Sequence, residues 1–240
     1  MTKQIKSKQR VTDHGEVFTA GREVNAMLDL IKQETERVDS RFLEPACGDG
    51  NFVAEILKRK LEAAKKRATP PKKNTPIPSE FEKQSVIAVA SIYGVDLMMD
   101  NVLLCRQRLY NIWNEEYQEI CKKEVNEECQ KAIEFILSRN IVCGNALSLK
   151  EVDEKGADTE EAIVFSEWSF VMGNKMQRRD YRFDKLLAGG YAPSISIKKE
   201  IDDETPQQNL LSIQQDKPSD EGEFVTSYVV DYRRIHKNED

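Results

Sequence analysis

A chain of 240 residues is long enough for one domain with a true core, but 32% of its residues are charged and only 39% hydrophobic, so part of it must lie outside that core. No apolar run reaches membrane-spanning length, and the stretch from Met1 to Lys6 lacks the apolar centre of a signal peptide, which points to a cytoplasmic protein with no membrane partner. A net charge of −6 works against nucleic-acid binding by the molecule as a whole and leaves it to local basic clusters, at Lys3 to Arg10, Lys58 to Lys73 and Lys175 to Arg182.

In chain order, Gly15 to Thr19 leads into a predicted helix on which Val24, Met27, Leu28 and Ile31 form a stripe at i, i+3, i+4 and i+7. A strand follows, in which Phe42 and Leu43 end in an acid, Glu44. A tight turn with Gly48 and Gly50 comes next, and then a helix from about Asn51 with Val53, Ile56 and Leu57 at helical spacing. Strand, glycine elbow and helix make the layout in which a backbone closely approaches a small ligand. A carboxylate beside such an elbow would repel a pyrophosphate, so Glu44 suits a ligand with a cationic end.

Four prolines between Ala68 and Ser79 mark an exposed loop. Ser79 and Glu82 then fit a capping box for a helix reaching about Ser91. Ile92 to Asp96 is a short strand ending in an acid. Asp100 is placed to cap the next helix, on which Val102, Cys105, Leu109 and Ile112 share a face. A further helix carries Val125, Cys129, Ala132, Ile133 and Ile136 and precedes a strand from Ile141 to Leu147. Ala162 to Val171 reads as a fourth strand. From about Ala192 the composition turns to Lys, Asp, Glu, Gln, Ser and Pro, which predicts a disordered tail, with one island from Phe224 to Val230 able to add an edge strand. Five cysteines without a Cys-x-x-Cys pair, together with only two histidines, argue against a metal site and for buried free thiols.

The run Glu44-Pro-Ala-Cys-Gly-Asp-Gly-Asn-Phe52 resembles motif I of the N6-adenine DNA methyltransferases, which bind S-adenosylmethionine. The resemblance recurs along the chain. Phe18-Thr19, followed by Val24 and Met27, looks like motif X, and implies that Thr19 and nearby backbone bind the carboxylate end of the cofactor. The alternative is that Thr19 simply caps a helix. Gly94-Val-Asp-Leu97 looks like motif II, which implies that Asp96 accepts hydrogen bonds from both ribose hydroxyls while Leu97 packs on adenine. Gly144-Asn-Ala-Leu147 looks like motif III, with Asn145 in place of the more usual Asp. It implies that Asn145 accepts a bond from the adenine amine and that Ala146 and Leu147 shape the pocket. The implied cofactor site is Thr19, Glu44, Ala46, Cys47, Gly48, Gly50, Phe52, Asp96, Leu97, Asn145, Ala146 and Leu147, with no metal.

The family's fourth motif, a polar residue followed by Pro-Pro and an aromatic, holds the target amine and stacks on the flipped-out base. No Pro-Pro follows motif III here. Gly173-Asn174 stands where the family often reads Gly-Asn-Pro-Pro, which makes Asn174 the candidate catalytic residue, and Trp168 and Phe170 are candidates for base stacking or for the core. The resemblance thus implies an α/β fold: a Rossmann-like methyltransferase sheet with helices on both faces, truncated after the fourth strand. Residues 1–190 would form the methyltransferase-like cofactor-binding domain and 191–240 the polar tail. The implied function is adenine-N6 methylation of DNA by a modification subunit of a restriction-modification system, with a protein partner supplying target recognition. The alternative is a non-catalytic methyltransferase-like binding subunit.

Overall fold

The computed structural model describes residues 19–187 and 224–237. At its centre lies a parallel sheet of three short strands, β1 (Phe42–Glu44), β2 (Ile92–Asp96) and β3 (Ile141–Cys143), in spatial order β1-β2-β3. Phe42 pairs with Ile92 and Glu44 with Gly94, while Gly94 pairs with Ile141 and Asp96 with Cys143. The strand tips that carry Glu44 and Asp96 therefore lie side by side. Parallel neighbours need crossover connections, and helices supply them. α3 (Asn51–Ala68) and α4 (Pro78–Ala90) join β1 to β2, and α5 (Met99–Cys121) and α6 (Glu127–Asn140) join β2 to β3. Two short helices, α1 (Gly21–Asp29) and α2 (Lys32–Thr35), precede β1.

Alternation along β2 divides the core. Ile92 and Ile141 join the large helical cluster built on Leu57, Phe81, Leu109, Trp113 and Ile136. Tyr93 and Val95 point the other way and pack against Ile163, Phe165 and Phe183. This second face corrects the expectation of helices on both sides. What covers it is β6 (Val164–Met172) and the first residue of the five-residue helix α7 (Phe183–Leu187). β6 belongs to a separate antiparallel sheet, β6-β7-β8, with β7 at Lys175–Arg182 and β8 at Phe224–Asp231. A small hairpin, β4 (Lys150–Val152) with β5 (Asp158–Ala162), precedes it.

The expected fourth strand thus exists but does not extend the parallel sheet. Its direction is opposite to β1–β3. Ile163 lies against Gly144 beyond the tip of β3, Phe165 meets the Tyr93 ring at mid-sheet, Glu167 pairs with Arg41 ahead of β1, and Trp168 donates to Asn140 ahead of β3 (3.0 Å). The edge strand anticipated within the polar tail forms, and the expected disorder is corrected for residues 231–237. The island from Phe224 forms β8 against β7, and Tyr232 and Ile235 are fully buried in the main core. The rest of that tail, and the basic cluster from Lys3 to Arg10, lie outside the described residues.

Local expectations fared unevenly for physical reasons. α1 buries Val24 and Leu28 but ends at Asp29, leaving Met27 and Ile31 exposed. The capping box does not form. Pro78 occupies the first turn of α4, where its missing N–H costs nothing. Glu82 is instead buried, accepting from Tyr117 Oη (2.7 Å), Tyr232 Oη and Arg233 Nε (2.6 Å). Asp100 makes no cap, whereas Asn126 caps α6 by accepting from the amides of Glu128 and Cys129.

In the basic cluster on α3, Lys60 is fully buried, donates to the carbonyls of Arg37 (2.9 Å), Val38 (3.1 Å) and Ser40, and has its pKa pushed down to about 7 by burial. In the third cluster Arg178 is buried against Asp180. Burial opposes its charge, but the bonds to Asp180 and Tyr228 outweigh it and raise its pKa. Those two cations belong to the scaffold. All five cysteines are free, four of them buried.

Candidate functional site

The glycine loop after β1 is held in a form that its sequence allows and most sequences would not. Gly48 and Gly50 take φ of 53° and 92°, the left-handed region in which a side chain is strained. Gly50 is buried, and its amide donates to Cys47 O (2.9 Å) to close the turn into α3. Cys47 is buried beneath the loop. Its amide donates to Val95 O (2.9 Å), tying the loop to β2, and its thiol lies beside that of Cys105. The neighbouring Cys105 thiol, then burial, hold the Cys47 pKa far above the ordinary thiol value, so Cys47 stays a neutral packing group.

Two carboxylates flank this loop. Glu44, at the tip of β1, is half-buried. Burial raises its pKa, and it accepts only a long bond of 3.4 Å from the amide of Ala46 among the described residues. Asp96, at the tip of β2, accepts from the Gly48 amide at Oδ2 (2.9 Å), and from the Met98 amide (2.9 Å) and Asn101 Nδ2 (3.1 Å) at Oδ1. A carboxylate offers about four acceptor positions. Three donors leave Asp96 with one, on Oδ2, so the expectation that it accepts both ribose hydroxyls narrows to one with these bonds in place.

The tip of β3 departs further from expectation. Gly144 donates to Asp96 O (2.9 Å), which joins the third motif to the second. The Asn145 side chain, however, is consumed locally. Its Oδ1 accepts from the amides of Leu147 (3.0 Å) and Ser148 (3.4 Å), and its Nδ2 donates to Asp158 (2.9 Å). Both lone pairs of the amide oxygen are occupied, so Asn145 has no acceptor left for an adenine amine. Asn145 thus builds an Asx turn, the strand stops at Cys143, and Leu147 is left 96% exposed. Ala146 packs toward the Tyr93 and Val95 cluster. Leu97 is exposed beside Asp96, while Phe52, in the first turn of α3, packs on the main core.

The structure therefore brings Glu44, Ala46, Cys47, Gly48, Gly50, Asp96 and Leu97 together, with Asn145 one strand away. Thr19 lies exposed just ahead of α1, whose cap position is held by Ala20, so it caps nothing. Asn174 does not belong to the site. It is an exposed residue in the tight turn between β6 and β7, next to Gly173 at φ 57°. Because β6 runs opposite to β1–β3, that turn projects beyond the far end of the parallel sheet. The carbonyl of Asn174 accepts from the Tyr232 amide (2.9 Å). Trp168 is buried against Phe135, and Phe170 packs on Tyr232, so both serve the core.

Sequence reading missed Asp49 and Arg108. Arg108 on α5 forms a forked pair with Asp49, Nη2 to Oδ2 at 2.8 Å and Nη1 to Oδ1 at 3.3 Å, and also bonds Asn51. Nothing in the sequence links these positions, since a crossover and a strand separate them. Among the described residues no group of three or more His, Cys, Asp or Glu is arranged to hold a metal, and no helix is long and apolar enough to cross a membrane.

No protein-family model, curated protein or solved structure matches this chain. The site stands on its own geometry.

Proposed function

We propose that this chain binds S-adenosylmethionine over the glycine loop and acts as the modification subunit of a DNA adenine-N6 methyltransferase of the restriction-modification type. The observation that carries the reading is the pair of carboxylates, Glu44 and Asp96, on adjacent strand tips around a loop of left-handed glycines. Two acids there disfavour a polyphosphate and favour a ligand that combines cationic groups with hydroxyls. S-adenosylmethionine supplies such groups, and its sulfonium carries a methyl already activated for transfer. Glu44 would face the cationic end with nearly all its acceptor capacity unspent, Gly48 and Gly50 would admit close approach, and the remaining Oδ2 position of Asp96 would take a ribose hydroxyl.

A second reading, a non-catalytic cofactor-binding subunit, is favoured by the far-end position of Asn174 and the core burial of Trp168. Under either reading the groups that hold the adenine amine, and target recognition on DNA, come from a protein partner. Calorimetric titration with S-adenosylmethionine and its demethylated product, followed by labelled methyl transfer to adenine-rich duplex DNA at low salt, separates the possibilities. The expected result is binding without robust transfer by the isolated chain. Asp96→Ala should weaken binding by about ten-fold or more, the loss of a charged hydrogen bond contributing ~1.5–3 kcal/mol. Robust transfer by the isolated chain would eliminate the second reading and, with it, the need for a partner to hold the adenine amine. No binding at millimolar concentrations by folded protein would eliminate both.

A further inference from the structure

One stripe of α5 touches the whole glycine loop, although no motif names a residue on it. Asn101, in the first turn, is buried and donates its amide to Asp96 Oδ1. One turn later Cys105, also buried, lies directly under the loop, where a Cβ added to Gly50 would come within 2.8 Å of its sulfur. Arg108, a further turn on, grips the loop from the outside through Asp49 and Asn51. The spacing i, i+4, i+7 places all three on one helix face.

We infer that Asn101 and Arg108 are positioning residues of the ligand site, with Arg108 setting the glycine loop through Asp49. Two glycines within three residues make the loop costly to order, because glycine loses more backbone freedom on folding than any other residue. Affinity falls in proportion to the fraction of time the loop spends in its binding form. A forked guanidinium–carboxylate pair constrains direction as well as distance, so it restrains Asp49, between the two glycines, more tightly than a point charge would. The pair is also partly exposed, with the Arg108 side chain at 36% and that of Asp49 at 19%. Its contribution to global stability is accordingly small, and its effect concentrates on the loop. The identity of the ligand rests on the reading proposed above, but the ordering of the loop does not.

The test compares the full chain with Arg108→Ala, Asp49→Ala, the double variant and Arg108→Lys, using S-adenosylhomocysteine as the probe. Hydrogen exchange at the Gly48 and Gly50 amides is followed in ligand-free protein. Arg108→Ala should weaken binding about ten-fold and accelerate exchange at both glycines, with the melting temperature nearly unchanged. The double variant should bind no more weakly than Arg108→Ala alone, and Arg108→Lys should recover only part of the loss. Unchanged exchange and affinity in Arg108→Ala would overturn the inference, as would fully additive losses in the double variant. If the unmodified chain does not bind the probe, the functional reading fails, and the exchange comparison still decides the positioning role.

Discussion

Asp96 and Glu82 are both acids one helix or strand away from the same core, and they end in opposite situations. Glu82 is only 2% exposed and takes three donors from two elements, Tyr117 of α5 and the consecutive Tyr232 and Arg233 that follow β8. Asp96 also has three donors, the Gly48 amide of the glycine loop, the Met98 amide and Asn101 of α5, but it is only half-buried and keeps an acceptor position near solvent. A buried carboxylate with every partner supplied by the protein closes a fold. A half-buried one with spare capacity, beside a glycine loop, is equipped for a ligand. The far end of the parallel sheet is therefore scaffold, and the strand tips are the candidate site.

The largest expected effect lies at the scaffold end. Ending the chain before Phe224 removes β8, strips Glu82 of two donors and deletes the buried Tyr232 and Ile235. Full burial of such side chains contributes about 1.5–3 kcal/mol each, so these two alone account for about 3–6 kcal/mol, a large share of the total stability of many domains. Urea unfolding should show a largely unfolded chain. An unchanged midpoint would mean that this segment is dispensable and that the comparison is wrong at its root.

Glu82→Leu probes the same end more gently. It leaves two buried tyrosine hydroxyls and the Arg233 guanidinium without their acceptor, and should cost about 3 kcal/mol in denaturant titration. Ligand affinity measured on the folded fraction should stay as it was. Asp96→Ala should show the reverse pattern, with a larger change in affinity than in stability. Equal patterns for the two acids would erase the distinction between them.

The smallest effect is a pH dependence at Glu44. Burial raises its pKa in the free protein, and a cationic ligand favours the ionised form. Affinity for such a ligand should therefore rise as pH climbs through the Glu44 pKa and level off above it, and Glu44→Gln should flatten the curve. For stability the sign is opposite. A carboxyl with a folded pKa above its unfolded one favours the fold below the unfolded value, and that contribution is lost as pH rises through the folded value. Calorimetry across the acid range checks both.

The elements most legible in the sequence were those that follow local rules. The elbow at Gly48 and Gly50 was readable because left-handed backbone selects glycine, and the acids at Glu44 and Asp96 were readable as the last residues of short apolar runs. Asn145 shows the limit of that reading. Its place after β3 was anticipated, but its oxygen was assigned to a ligand while the chain uses it for its own turn. Glu82 was assigned to a helix cap because its spacing from Ser79 fits one. It turned inward because Tyr117, Tyr232 and Arg233, far away in sequence, offered donors in the core.

By itself, then, the sequence determined the strand–glycine–helix unit, the order of the helices and strands from β1 to β3, and the acids at the strand tips, all of which depend on neighbours a few residues apart. Only the tertiary structure decided what lies far from what. The apolar run from Ala162 to Val171 marks a strand and is silent about its partner. Antiparallel pairing with β7 sent β6 across the second face against the direction of β1–β3, and so carried Asn174 to the end of the sheet opposite the glycine loop. Long-range packing likewise recruited a polar-looking C-terminal segment into the core, because Tyr232 and Ile235 find apolar surface and an acid that no local pattern announces.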